Sequence, residues 1–236
     1  KPGDIDLIVV RENSEGEYVR VGGRVRRGHP EEVTIESAVH TRRGVERVLH
    51  FGFELARTRR RQLTMITKSN AMKHSMVMWD EVLEQLQPQY RDVTSDRQHV
   101  DAATMNFVRC PERFDVVVAS NLFGDILTDL GGVIAGGLGL APSANINPER
   151  TFPSMFEPVH GSAPDIAGMN IANPLATILS SAMMLRYTFN KDEWAYRIEA
   201  AVKSVLAQGY RTADIQEPGS RKVGTKEMGD AVVAGL

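Results

Sequence analysis

The chain has 236 residues, 42% of them hydrophobic and 25% charged, with a net charge of −2 and one cysteine, Cys110. This balance leaves no basic footprint for nucleic acid and no polybasic address for a membrane. No segment approaches the ~18 continuous apolar residues of a membrane span, and a single cysteine excludes an intrachain disulfide framework or a cysteine-built metal site. A globular protein of one large or two small domains is expected, in a reducing cytoplasm. The opening stretch "KPGDIDLIVV" is neither a signal peptide nor an initiator methionine.

Strands alternate with helices along the chain. Residues 5–12, "IDLIVVRE", form a short apolar run with β-branched residues, the pattern of a buried strand. "VTIESAVH" at 33–40 alternates apolar and polar, which predicts a half-buried strand. The helix expected next places Val45, Val48, Leu49, Gly52, Leu55 and Ala56 on one face, with Thr41 as its N-cap. "LTMITK" at 63–68 is a strand. "SNAMKHSMVMWDEVLEQL" follows as a helix, with Met72, Met76, Trp79, Leu83 and Leu86 in line. "FDVVVAS" at 114–120 reads as another buried strand, and "NLFGDILTDL" begins the helix after it. Helices are expected near 172–190, 191–209 and 225–235, with a short "RTADI" strand ahead of the last. Such alternation argues for an α/β fold with covered sheets. No internal repeat or low-complexity segment interrupts it.

Several features have ordinary explanations. The run "RTRRRQ" (57–62) sits at a helix end, where cations favour the dipole. The methionines of 72–78 have the spacing of core residues. Cys110 reads as a small buried or partly buried side chain, and no Ser-His-Asp constellation can be argued from spacing. "GGLGLAPSA" (136–144) lacks the G-x-G-x-x-G pattern of the common dinucleotide fingerprint.

Asp125 and Asp129 stand apart. Four positions separate them inside an apolar run, which at helical spacing puts them on one face, roughly 6 Å apart at Cβ. Like charges at that distance repel. Spacing alone leaves two readings open, a pair of metal ligands or a solvated face. The surroundings add weight to the first. "VRENSEGEY" (10–18) follows a strand, "TKSNA" (67–71) places a lysine at a strand end, and "VDAATM" (100–105) offers an acid at a third strand-to-helix junction. "EPVHGSAPDIAGMNIANP" (157–174) is long for a connection and therefore a candidate binding loop. In α/β proteins such junctions carry ligand sites.

Taken together, "REN", "TKSN", "VDAA", "NLFGDILTDL", "FEPVHGSAPDIAG" and "NP" resemble the β-decarboxylating dehydrogenases of the isocitrate and isopropylmalate family. "PGDIDLIVVREN", "VMWDE" and "APSANINPERTFPSMFEP" look most like its tartrate and D-malate dehydrogenases. The likeness runs along essentially the whole chain, while the family's N-terminal part has no counterpart, so the chain looks like a fragment.

The resemblance implies an α/β, isopropylmalate-dehydrogenase-like two-domain fold with mixed sheets, lacking the N-terminal part of the large domain. Residues 1–135 would be the small domain, which dimerises and holds metal and substrate, with "GGRVRRGHPEEVTIESA" as a two-stranded clasp arm. Residues 136–236 would be the C-terminal part of the large, NAD-binding domain. The implied activity is oxidation and decarboxylation of a 2-hydroxy dicarboxylic acid such as tartrate or D-malate. Isopropylmalate dehydrogenase and a non-catalytic regulatory subunit are the alternatives. Asp125 and Asp129 would bind Mg²⁺ or Mn²⁺, with Asp101 reaching in from the partner of a homodimer with shared active sites; hard oxygen ligands suit such ions. K⁺ is a further ion the resemblance allows. Arg11 would clamp the carboxylate to be lost, since its planar fork matches a carboxylate. Lys68, again from the partner chain, would take the hydroxyl proton, and Tyr18 would protonate the enol. His160, Gly161, Ser162 and Ala163 would line the phosphates and adenine ribose of NAD, with Asn173 near the adenine. Asp165 and Ile166 would select NAD over NADP, because an acid there accepts both ribose hydroxyls and repels a 2′-phosphate.

Overall fold

The structure, a computed structural model, describes residues 5–236. It divides into two compact units at Leu130/Gly131, five residues before the break expected after 135.

The first unit is built on a parallel sheet of four strands in the order β1-β6-β4-β5: β1 Ile8–Arg11, β4 Gln62–Thr67, β5 Thr94–His99 and β6 Val116–Ala119. The central β6 sequence, Val-Val-Val-Ala, is buried at every position. A strand covered on both faces needs a continuous apolar run rather than an alternating one. Val116 pairs with Ile8 on one side and Leu63 on the other. The polar "TSDRQH" of β5 suits its place at the edge.

Helices α1 (Arg42–Arg57), α2 (Ser75–Leu86) and α3 (Val100–Arg109) surround this sheet. Thr41 caps α1 as expected, its hydroxyl oxygen accepting from Gly44 N at 3.1 Å. The buried face of α1 includes Phe53, which the expected stripe omits, whereas Leu55 is only half-buried. Gly52 is required there: a Cβ would stand 2.5 Å from Val118 Cγ2 on β6. The α2 helix begins at Ser75, not at residue 69. Instead Lys68 O accepts from both Ala71 N and Met72 N, and this turn takes Met72 out of the helical stripe.

Strands β2 (Gly16–Val25) and β3 (Val33–Val39) pair with each other in an antiparallel ribbon and join no larger sheet. The ribbon reaches beyond the 22–38 stretch expected for an arm. Its β3 strand is not half-buried: Val33, Ile35 and Val39 are exposed, as are Val21 and Val25 opposite. The alternation in 33–40 reflects a face that the described residues leave about half exposed.

The basic run 57–62 does more than decorate a helix end. Arg59 Nε donates to Asp115 Oδ1 at 2.8 Å and Arg60 N to Asp115 Oδ2 at 2.9 Å. Asp115 is buried just before β6, so these contacts tie the start of the central strand to the end of α1.

The second unit carries the antiparallel ribbon β7 (Pro142–Asn145) and β8 (Met155–Pro158), with helices α5 (Leu175–Tyr187), α6 (Asp192–Ala207) and α7 (Thr225–Ala234). Leu175, Val202, Val205, Val223, Met228 and Val232 share its core. "RTADI" contributes only Arg211 to a strand: β9 (Tyr210–Arg211) pairs with β10 (Arg221–Lys222), and Ala213–Ile215 is a helical turn. Helix α4, Asn121–Ile134, follows β6 and spans the boundary.

Candidate active site

Apart from Tyr18, which comes from the β2 ribbon, the candidate acid–base and metal residues of the first unit lie just beyond, or at, the carboxyl end of a parallel strand or on the helix that follows one, the location that ligand sites favour in open α/β sheets. Arg11 ends β1, Lys68 follows β4, Asp101 lies in the first turn of α3 after β5, and Asp125 is on α4 after β6. The strand order then sorts them into two groups. Neighbours β1 and β6 deliver Arg11 and Asp125, and neighbours β4 and β5 deliver Lys68 and Asp101.

In the first group Arg11 lies across α4. Its Nη1 donates to Asp125 Oδ1 at 2.7 Å, while Nε and Nη2 both donate to Asn121 Oδ1, at 2.9 and 2.7 Å. Asn121, Gly124 and Asp125 share one face of the helix by their spacing. Gly124 is what admits the arginine stem, because a Cβ there would fall 2.7 Å from Arg11 Cγ. Tyr18, from β2, donates its hydroxyl to Asp125 Oδ2 at 3.1 Å, and the guanidinium carbon sits 5.6 Å from the Tyr18 ring centre. Desolvation of the hydroxyl, and then the adjacent Asp125 carboxylate, push the Tyr18 phenol above its usual range. It is therefore a neutral proton donor at physiological pH.

Asp129 follows one turn after Asp125 and is exposed. Two carboxylates one turn apart make a partial set of hard oxygen donors. That set suits an oxygen-preferring divalent cation but does not complete its coordination. Among the described residues no three His, Cys, Asp or Glu side chains converge as a metal site, so Asp101 does not join Asp125 and Asp129 within one chain.

The second group is a pair. Lys68 Nζ stands 2.9 Å from Asp101 Oδ1, and this hydrogen bond holds the Asp101 carboxyl below the usual carboxylate range. No hydrogen bond or ion pair joins Lys68 or Asp101 to the Arg11 group among the described residues.

A supporting shell fixes the first group, and sequence reasoning assigned none of it. Glu17 Oε2 accepts from Leu122 N at 3.0 Å and its Oε1 from Ser120 Oγ at 2.8 Å, which satisfies free donors at the start of α4. Asn121 Nδ2 donates to Glu15 O at 3.0 Å. Glu15 Oε1 accepts from Thr41 N at 2.7 Å, tying the same loop to the start of α1. Glu12, 4% exposed, accepts from Ser14 N, Glu15 N and Arg47 Nη2. The available signal was the N-x-x-G-D spacing within "NLFGDILTDL", an amide, a glycine and an acid on one face.

In the second unit, residues 159–173 form an extended loop. Ala163 adopts a left-handed backbone (φ 43°) and opens the single turn Pro164–Ile166, closed by Ile166 N donating to Ala163 O at 3.1 Å. Gly161, Ser162, Ala163 and Asp165 are exposed, and Ile166 and His160 are half-buried. His160 Nδ1 is within hydrogen-bond distance of Gly161 O, 2.9 Å. The loop is fastened to the start of α7: Asn170 Oδ1 accepts from Lys226 N at 2.9 Å and Asn170 O from Thr225 N at 3.0 Å. Asn173 is 8% exposed, with Oδ1 accepting from Leu175 N and Nδ2 donating to Asp214 Oδ2. Both ends of its amide are thus engaged within the unit.

Residues 1–232 match the family model described as isocitrate/isopropylmalate dehydrogenase. The chain is 54% identical to the D-malate dehydrogenase [decarboxylating] of Escherichia coli (strain K12), over 98% of this chain and 64% of that protein. It is 52% identical to a probable tartrate dehydrogenase/decarboxylase of Bacillus subtilis (strain 168), over 91% of this chain and 60% of that one. A crystal structure of isocitrate dehydrogenase from Methylococcus capsulatus superposes with a TM-score of 0.89 at 39% identity, covering 98% of this chain and 67% of that one. The chain thus spans less than two thirds of the length of the two curated relatives.

Proposed function

Because the chain belongs to the isocitrate/isopropylmalate dehydrogenase family, we propose that it oxidises and decarboxylates a 2-hydroxy dicarboxylic acid such as tartrate or D-malate, with NAD⁺ and Mg²⁺ or Mn²⁺. One observation carries the reading: a guanidinium, a protonated phenol and a carboxylate converge on α4, with a second carboxylate one turn on. When bound, NAD⁺ would supply a hydride acceptor and the divalent cation would supply Lewis-acid withdrawal of charge from the substrate oxygens. Arg11 binds the carboxylate destined to leave as CO₂, with the bidentate geometry a guanidinium offers. Tyr18 delivers its phenolic proton to the enol carbon left by decarboxylation. Lys68 takes the proton of the substrate hydroxyl during oxidation. Asp125 and Asp129 hold the cation, and the 160–166 loop with Asn173 receives the dinucleotide, Asp165 facing its ribose hydroxyls.

A homodimer with shared sites fits the division into two groups. Lys68 and Asp101 of one chain would complete the Arg11, Asp125 and Asp129 group of another. The exposed Met105 and Val108 on α3, Ile126 on α4 and the uncovered valines of the β2–β3 ribbon offer apolar surface for such a pairing.

The test is NADH formation by the full-length protein with D-malate, the tartrate isomers, isopropylmalate and isocitrate. Turnover of D-malate or tartrate above the other two is expected; turnover of isopropylmalate alone would move the assignment, and none at all would end it. Mixing Lys68→Ala with Asp125→Ala subunits should restore activity if sites are shared, since some mixed dimers then regain one intact site. No recovery would refute sharing.

A further inference from the structure

We infer that Asn121 is a positioning residue for substrate recognition: it holds Arg11 by two of its three guanidinium nitrogens and so presents the remaining edge to the substrate carboxylate. This rests on the proposed role of Arg11. Nothing in the assigned chemistry uses Asn121, yet its carboxamide makes three hydrogen bonds, as many as the Arg11 guanidinium itself. Oδ1 accepts from Arg11 Nε and Nη2, and Nδ2 donates to Glu15 O. The side chain is 4% exposed. Its backbone is equally constrained, because Glu17 accepts from the residues on either side, Ser120 and Leu122.

The geometry separates two duties. Only Nη1 of Arg11 contacts Asp125. If Asp125 engages another partner, Arg11 loses that single contact and keeps both bonds to Asn121. A free arginine side chain has rotamer entropy to lose on binding, and a fork fixed in advance loses less. Asn121 supplies that fixation with a neutral acceptor. A carboxylate in its place would add charge that repels the substrate, and a hydrocarbon would leave Nε and Nη2 without a partner.

The experiment uses Asn121→Ala and Asn121→Asp in the full-length protein. With the dicarboxylic acid that turns over best, Asn121→Ala should raise KM by about tenfold or more, equivalent to about 1.4 kcal/mol, with a smaller change in kcat and an unchanged KM for NAD⁺. Asn121→Asp keeps the acceptor, so its arginine should stay in place even though its added charge weakens substrate binding. In an Arg11→Met background Asn121→Ala should add nothing, because residues acting through one another are not additive. A second measurement needs no activity: phenylglyoxal modification of Arg11, followed by peptide mass spectrometry on the unliganded protein. The rate should rise severalfold in Asn121→Ala and stay near the unmodified protein's in Asn121→Asp. An unchanged rate in Asn121→Ala overturns the inference whatever the activity. If Arg11 modification responds as expected but no dicarboxylic acid turns over even in the unmodified protein, the functional reading fails and the positioning of Arg11 stands. A KM effect of equal size in the Arg11→Met background would show that Asn121 acts structurally and not through the arginine.

Discussion

The Arg11 group and the 159–173 loop are built in opposite ways. Around Arg11, side chains hold side chains: Asn121, Asp125, Tyr18 and the Glu12/Glu15/Glu17 shell interlock on strand ends and a helix. Along 159–173 the candidate residues are mostly exposed, and fixation comes from a few bonds, those of Asn170 to the start of α7 and those of Asn173 to Leu175 and Asp214. The contrast teaches which positions tolerate change. A proton transfer demands placement to fractions of an ångström, and mutually bonded side chains on rigid elements provide it. The dinucleotide proposed for this loop would spread its recognition over many weaker contacts, which an open loop bonded near its two ends can supply. Substitutions in the first region should damage the reaction, and those in the second should redirect it.

The largest loss expected is at Asp125. Asp125→Asn keeps the shape and an acceptor for Tyr18 but removes the charge proposed to hold the cation. If that ion contributes about 4 kcal/mol of transition-state stabilisation, activity falls about a thousandfold. Mn²⁺ titration monitored by the water-proton relaxation rate should show weakened binding. Undiminished Mn²⁺ affinity would remove Asp125 from the metal site. Next comes Tyr18→Phe, which leaves the ring near Arg11 and deletes the proton. A loss of about a hundredfold in kcat is expected for a general acid, with the NAD⁺ KM unchanged. A drop below tenfold would assign protonation elsewhere.

The same contrast governs what could be read from the sequence. The strands of the covered sheet were legible because runs such as "VVVA" are apolar, as burial on both faces favours, while their all-parallel pairing was not read from the sequence, which led only to the expectation of mixed sheets. The ribbon was legible as strands but not in its burial. "VTIESAV" encodes an apolar face, and sequence periodicity does not say whether this chain covers it. The start of α2 was misplaced because "SNAMKHS" continues the methionine spacing while Lys68 O bonds back to Ala71 and Met72. Among site residues, charged groups with obvious chemistry drew notice. Asn121 and Glu17 did not, since their importance lies in whom they touch across more than a hundred positions of sequence. The buried Asp115 was missed for the same reason, and with it the structural task of Arg59.

The supporting shell can be probed by pH. Glu12 is buried, which alone would raise its pKa, but bonds from Ser14, Glu15 and Arg47 outweigh this and lower it below the usual 4.5. A lowered folded-state pKa means the carboxylate stabilises the native state above the unfolded value, and that this contribution is lost as pH falls from there through the folded value. Glu12→Gln should therefore cost about 2 kcal/mol at neutral pH, in the range for hydrogen bonds to a charged group. The penalty should shrink in acid, where the native Glu12 is also protonated. Urea unfolding at several pH values measures it; a penalty constant down to the lowest pH would mean that packing, not the charge, matters at this position.

The smallest effect expected is the change of direction in the loop. Asp165 is exposed in the turn Pro164–Ile166, and in the proposed reading its carboxylate accepts from two ribose hydroxyls. Its charge opposes a 2′-phosphate, so the unmodified protein should prefer NAD⁺. Asp165→Lys with Ile166→Tyr removes the repulsion, supplies a cation and adds a hydroxyl donor for the phosphate. The turn itself should survive, because it is closed by backbone groups, Ile166 N donating to Ala163 O, that neither substitution alters. The ratio of kcat/KM for NADP⁺ to that for NAD⁺ should rise by at least about tenfold, which requires about 1.4 kcal/mol. KM for the acid substrate should stay as it was, since Arg11 and α4 are untouched. If the unmodified protein already favours NADP⁺, Asp165 does not read the ribose and the placement of the dinucleotide along 160–173 loses its main support. If both cofactor ratios and the acid KM move together, the loop and the Arg11 group are coupled, and the division between a fixed reaction centre and a redirectable recognition loop does not hold.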